Sequence, residues 1–120
     1  MFTITKEFSF CAAHQLTQLR EGHPCSRVHG HNYKVKVELK SNDLDAQQMV
    51  QDYGELKPIK DWIDEKLDHQ NLNNIIPGAP TAEVIASWIY YRWKTQFPLL
   101  SAVEVSETDK TWARYEQTID

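Results

Sequence analysis

The sequence predicts an α+β fold, an antiparallel sheet with two helices layered on one face. Three observations predict it. Two long runs near the start alternate apolar and polar residues with the period of a strand. Two later stretches repeat apolar residues at helical spacing, and two short alternating runs close the chain. The order is ββααββ, with strands and helices segregated as in α+β domains.

In residues 2–14, Phe2, Ile4, Phe8, Phe10, Ala12 and His14 share one parity, with Lys6 the exception. Thr3, Thr5, Glu7, Ser9, Cys11 and Ala13 take the other, the pattern of a half-buried strand. Residues 15–28 contain Gly22, Pro24 and mixed charge, and read as a loop. Residues 29–40 alternate again: His29, His31, Tyr33, Val35, Val37 and Leu39 face one way, and Asn32, Lys34, Lys36, Glu38 and Lys40 the other. The two strands should pair antiparallel, with a long loop at the histidine end.

Residues 41–53 are polar and read as irregular. Leu56, Ile59, Ile63 and Leu67 then recur at helical spacing. Pro58 fits only the first turn, so this helix should start near Gly54 or Glu55. Asp68 to Pro80 is rich in Asn, Pro and Gly and reads as a loop. Thr81 is a good N-cap for the second helix, and Glu83 in its first turn suits the helix dipole. Val84, Ile85, Trp88, Ile89 and Trp93 supply the apolar face, and Phe97-Pro98 ends it. Val103, Val105 and Glu107 share a strand face, and Trp112, Arg114 and Glu116, or their alternates, lie on the last strand.

At 120 residues one domain is expected, spanning 1–120. Such a chain buries roughly two-thirds of its unfolded surface, enough for one core. Hydrophobic residues at 41% and charged residues at 25% place it among soluble globular proteins. A net charge of -4 argues against a nucleic-acid partner, which calls for a basic patch. No apolar stretch is long enough for a bilayer, and the N-terminus lacks the shape of a signal peptide. Cys11 and Cys25 do not make a disulfide framework, so the expectation is a cytoplasmic protein with reduced thiols.

The residues that could carry chemistry begin with three histidines. His29 and His31 are two apart on one strand and therefore share a face. A neighbouring strand can bring His14 to meet them. Three imidazoles with no obvious fourth ligand is the pattern of a catalytic zinc that keeps one position open. Imidazole also suits copper, iron and nickel. His23, with no strand to aim it, reads as an exposed loop residue.

Cys25, four residues before His29, has three readings: a fourth metal ligand, a thiolate base or nucleophile beside the metal, or an inert loop cysteine. Cys11 points away from His14 and reads as a small buried hydrophobe. In Asp68-His69 the acid could fix the imidazole's tautomer or share its proton, or the pair could simply cap a loop. Glu107 lies on the parity of Val103 and Val105. It is either exposed at the strand end or points inward, where a carboxylate needs a partner such as the amidine-like edge of a guanine or pterin ring.

Taken together, Phe10-Cys-Ala-Ala-His14, Cys25-x-x-x-His29-Gly-His31-Asn-Tyr33, Asp68-His69-x-x-Leu72-Asn73, Pro80-Thr81-x-Glu83 and Glu107-Thr108 resemble the 6-pyruvoyl tetrahydropterin synthase / 6-carboxytetrahydropterin synthase family. The pieces occur in the family's order and span nearly the whole chain. The short spacing between Cys25 and His29 is similar to that of the bacterial 6-carboxytetrahydropterin synthases of queuosine biosynthesis. Val84 departs from the family's frequent Asn, and Cys11 from its small or polar residue.

The resemblance implies the tunnelling fold and a homo-oligomer, hexamer or tetramer, with active sites at subunit interfaces. It implies 7,8-dihydroneopterin triphosphate as substrate, Zn2+ held by His14, His29 and His31, and Cys25 as general base. His69, oriented by Asp68, would relay protons across an interface, and Glu107 would anchor the pterin with Thr108 nearby. Triphosphate and acetaldehyde would leave, giving 6-carboxytetrahydropterin without a redox cofactor. Arg20, Arg27, Lys34 and Lys36 are triphosphate candidates by position only. Two rival readings are pyruvoyl synthase chemistry on the same fold and a zinc-stabilised pterin-binding module without turnover.

Overall fold

The computed structural model describes residues 1–117, so the last three residues of the expected 1–120 domain lie outside it. Its elements are β1 (Phe2–His14), β2 (His29–Ser41), α1 (Lys57–Lys66), β3 (Gln70–Asn71), α2 (Ala82–Trp93), β4 (Leu100–Ser106) and β5 (Ala113–Glu116). They form one five-stranded sheet in the order β3-β1-β2-β4-β5. The fold is the expected α+β, with one strand more than the sequence suggests. β3 is two residues long and pairs parallel with Ala12 and Ala13, too short to leave a periodic signal.

β1 and β2 pair antiparallel along their whole length, with Phe8 opposite Val35, Phe10 opposite Tyr33 and His14 opposite His29. The apolar parity faces the helices. Phe8, Phe10, Tyr33, Val35, Val37, Val103 and Val105 are buried there against Ile59, Ile63, Ile85 and Ile89. Phe10 and Tyr33 stack with centroids 4.8 Å apart. Burying each aliphatic side chain of this layer contributes about 1.5–3 kcal/mol. Phe2 has the same parity but stays half exposed at the start of β1.

Each helix has a local cause. Pro58 sits in the first turn of α1, after a 3-10 turn over Tyr53–Leu56. Thr81 caps α2, its hydroxyl accepting from the Val84 N–H at 3.2 Å. The loop between the helices is pinned to the end of β1. The Gln15 N–H donates to the Asn73 side-chain oxygen at 2.7 Å, and the Asn73 amide donates to the Gln15 carbonyl at 2.8 Å.

The other sheet face is polar. Glu38 is buried there beneath Arg114, whose guanidinium makes two bonds to its carboxylate at 2.8 and 2.9 Å. Cys11 also lies on this face. It is exposed, and its thiol donates to the Asn32 side-chain oxygen at 2.9 Å. The expectation of a buried Cys11 fails because, among the described residues, no layer covers that side of β1. Among the described residues no helix is long and apolar enough to cross a membrane.

Candidate active site

The three histidines meet as strand parity requires. His14 ends β1, His29 opens β2 opposite it, and His31 follows on the same face. One ring nitrogen from each lies within 4.8 Å of the others. Two of the rings are oriented by backbone. His14 Nδ1 lies 2.7 Å from the Pro80 carbonyl, and His29 Nδ1 lies 2.7 Å from the Arg27 carbonyl. A carbonyl only accepts, so each Nδ1 carries the proton and each Nε2 presents a lone pair.

Those two Nε2 atoms are 2.9 Å apart, and His31 Nε2 is buried with no hydrogen-bond partner. Two facing lone pairs beside an orphaned third nitrogen fit a cation held between them. Burial, chiefly, lowers the pKa of His31, with His14 and His29 adding to it and Glu107 opposing it. The neutral, ligating form is thereby favoured. Tyr33 underlies the cluster, fully buried, its ring 5.5 Å from that of His31.

Glu107 follows β4 and points inward. Its carboxylate oxygens lie 4.0 Å from His14 Nε2 and 3.7 Å from His31 Nε2. It lines a pocket of about 470 Å³ together with Leu16, Thr81, Glu83, Val105 and Trp112. Two carboxylates therefore border the pocket, one against the histidines and one on the first turn of α2. In the sequence Glu83 stands out for the helix dipole and within Pro80-Thr81-x-Glu83, with no site role assigned. Thr108 is exposed, with its hydroxyl 3.2 Å from that of Thr111.

Cys25 is half buried in a 3-10 turn over Pro24–Ser26. Its carbonyl accepts from the Leu16 N–H at 2.9 Å, which ties the turn to the chain just past His14. Its sulfur is not in the ligand cluster; among the described residues only the three histidines form one. His23 is also half buried, and its imidazole is engaged rather than free. Nδ1 accepts from the Cys25 N–H at 3.1 Å.

Asp68 and His69 form a pair at 2.8 Å. The Cys11 N–H donates to the other Asp68 oxygen at 2.9 Å, and the His69 N–H donates to the Cys11 carbonyl at 2.6 Å. The Cys11 N–H foremost, and the His69 side chain next, hold the Asp68 carboxyl below its usual range. His69 has φ 59° and a side chain 81% exposed, and it lines a pocket with Cys11, Gly30 and His31. Of the cations offered for triphosphate, Lys34 pairs with Asp109 at 2.9 Å and Lys36 sits over Trp112 at 4.3 Å. Arg20 and Arg27 are exposed and make no ion pair among the described residues.

The profile of the 6-pyruvoyl tetrahydropterin synthase family matches residues 3–118. A protein of Synechocystis sp. named 6-carboxy-5,6,7,8-tetrahydropterin synthase is 41% identical over 122 residues, covering 96% of this chain and 93% of that one. A protein of the same name from Haemophilus influenzae is 36% identical, covering 98% and 100%. The solved structure of Caenorhabditis elegans 6-pyruvoyl tetrahydropterin synthase superposes with a TM-score of 0.85 at 27% identity, covering 98% and 96%.

Proposed function

Since the chain belongs to the 6-pyruvoyl tetrahydropterin synthase family, we propose that it converts 7,8-dihydroneopterin triphosphate and water to 6-carboxytetrahydropterin, acetaldehyde and triphosphate. This is the step that feeds 7-deazaguanine (queuosine) biosynthesis. The observation that carries the reading is the three-imidazole cluster opening beside a pocket bordered by two carboxylates. The names of the relatives at 36–41% identity favour the carboxy product.

Three neutral imidazoles suit zinc, and His14, His29 and His31 would hold it. Zinc bound there would polarise a substrate oxygen as a Lewis acid. Cys25, outside the ligand set, would take a proton from the substrate's side chain. His69 returns a proton, its tautomer fixed by Asp68. The ring gains the electrons that the side chain loses, so no external redox partner is required.

One role in this reading differs from the anchor that the resemblance implies for Glu107. The amidine edge of a pterin and its C6 side chain lie at opposite ends of the ring. With the side-chain hydroxyls at the histidines, Glu107 stands at the reacting end, because its oxygens are within 4.0 Å of the ligating nitrogens. Glu83, an exposed residue of the first turn of α2 that lines the same pocket, would receive the ring N–H and amino group. Thr108 borders the Glu107 end. Arg27 and Arg20 are the cations left to meet triphosphate.

The exposed His69 acts on a neighbouring copy's substrate in this reading, within a homo-oligomer. The outer edge of β1 supports that: β3 covers it only at Ala12 and Ala13. An uncovered edge of this length invites another strand.

The test is to incubate zinc-loaded protein with dihydroneopterin triphosphate and assay acetaldehyde. Release matched by carboxypterin supports the reading. A pyruvoyl pterin without acetaldehyde would replace the product, and absence of any turnover would remove the enzyme.

A further inference from the structure

His23 makes a contact that neither the family resemblance nor the metal site accounts for. Its Nδ1 accepts from the backbone N–H of Cys25 at 3.1 Å. Its carbonyl accepts twice more, from the Ser26 N–H at 2.9 Å and the Ser26 hydroxyl at 2.7 Å. Its own N–H donates to the Arg20 carbonyl at 3.1 Å. The turn over Pro24–Ser26 therefore hangs on this one residue at its N-terminal end. Pro24 brings no N–H, so the first donor of the turn is that of Cys25, and His23 captures it.

From this geometry we infer that His23 is the positioning residue for Cys25, its imidazole acting as an N-cap that fixes the backbone of the reacting thiol. The inference rests on the proposed role of Cys25 as general base. Side-chain caps at this position are usually short oxygens. A histidine serves because Nδ1 stands two bonds from Cβ, as the Oδ1 of asparagine does. The cap needs Nδ1 as an acceptor, so it needs the neutral ring with its proton on Nε2. Without the cap, the half-buried thiol sits on a loop held to the metal end by the Leu16–Cys25 backbone bond, the Gln15–Ser26 side-chain bond and the Arg27 carbonyl's bond to His29.

The experiment compares His23→Ala with His23→Asn, each in the zinc-loaded Cys11→Ser protein, where Cys25 is the remaining thiol. Two readouts are taken: kcat and KM for dihydroneopterin triphosphate, and the rate of Cys25 alkylation by iodoacetamide. His23→Ala should lower kcat by about tenfold or more with KM little changed, the scale of a misplaced reacting group, and should alter the alkylation rate. His23→Asn, which restores an acceptor at the same place, should return both to parental values.

Parental kcat and alkylation in His23→Ala would overturn the inference. So would equal losses in both variants, because the acceptor would then not be what matters. If His23→Ala does not fold, His23→Asn decides alone: parental kcat supports the inference, and a loss in the folded, metal-loaded protein overturns it. Failure of the underlying reading shows differently, as full activity in Cys25→Ala.

Discussion

The Nε2 atoms of His14 and His29 face each other at 2.9 Å while the other nitrogen of each ring is committed to a backbone carbonyl. Neither Nε2 of a neutral pair has a proton to share. A cation between them removes the repulsion and also satisfies His31. His29→Ala should therefore lose bound zinc by metal analysis. Chelation of the parent should lower its thermal midpoint, by an amount set by the linkage relation, about 2.7 kcal/mol for metal at 100 times its Kd. A midpoint indifferent to chelator and to added zinc would exclude a resident metal.

Cys25 tests enzyme against binding module. Cys25→Ala should keep zinc and the fold and lose about 10²-fold or more in kcat, the usual scale for a general base. Loss of zinc together with stability would make Cys25 a ligand and close the site.

The two carboxylates of the pocket should separate kinetically. Glu83→Gln should raise KM by about 10- to 100-fold, matching the ~1.5–3 kcal/mol of a charge-assisted hydrogen bond, with kcat largely kept. Glu107→Gln should instead lower kcat, with zinc retained in both variants. The reverse pattern, measured by steady-state kinetics, would return the pterin edge to Glu107.

Arg27→Ala should weaken binding of dihydroneopterin triphosphate while leaving affinity for unphosphorylated dihydroneopterin unchanged, measured by calorimetry. Its carbonyl stays, so zinc content should not move. Equal weakening of both ligands would place Arg27 outside the phosphate subsite.

Away from the site, Arg114, with Ser101 helping, holds the Glu38 carboxyl down to about 2, from a usual value of 4.5. A depressed carboxylate stabilises the fold above its unfolded pKa, and that contribution fades as pH falls toward the folded value. Glu38→Gln should cost about 1–3 kcal/mol at neutral pH, as for a buried group losing its charged partner. Chemical denaturation should show the gap to the parent closing as pH falls from about 4.5 to about 2. A gap independent of pH would mean packing, not charge, is what the substitution disturbs.

Much of this was legible in the sequence because parity in a strand is geometry. His29 and His31 had to share a face, and a second strand of matching length had to bring His14 to it. Thr81 and Pro58 announced their helices for equally local reasons. Other features left no local trace. Arg114 and Glu38 are 76 residues apart and meet only through β4. A histidine as N-cap has no sequence signature, so His23 looked idle. Parity with Val105 left Glu107 either exposed or turned inward, because parity gives a face and not a distance. Its neighbours on that face decide whether it meets a ring edge or a metal.

The orientation of the His14 and His29 rings is held by oxygen atoms that no substitution removes. The Pro80 and Arg27 carbonyls belong to the main chain, and any amino acid at either position would present the same acceptor. Tautomer choice here is thus inherited from the path of the backbone rather than encoded by a particular side chain. Mutational drift at those two positions can alter the charge and shape around the site. The direction in which His14 and His29 offer their lone pairs is lost only if the chain itself is rerouted.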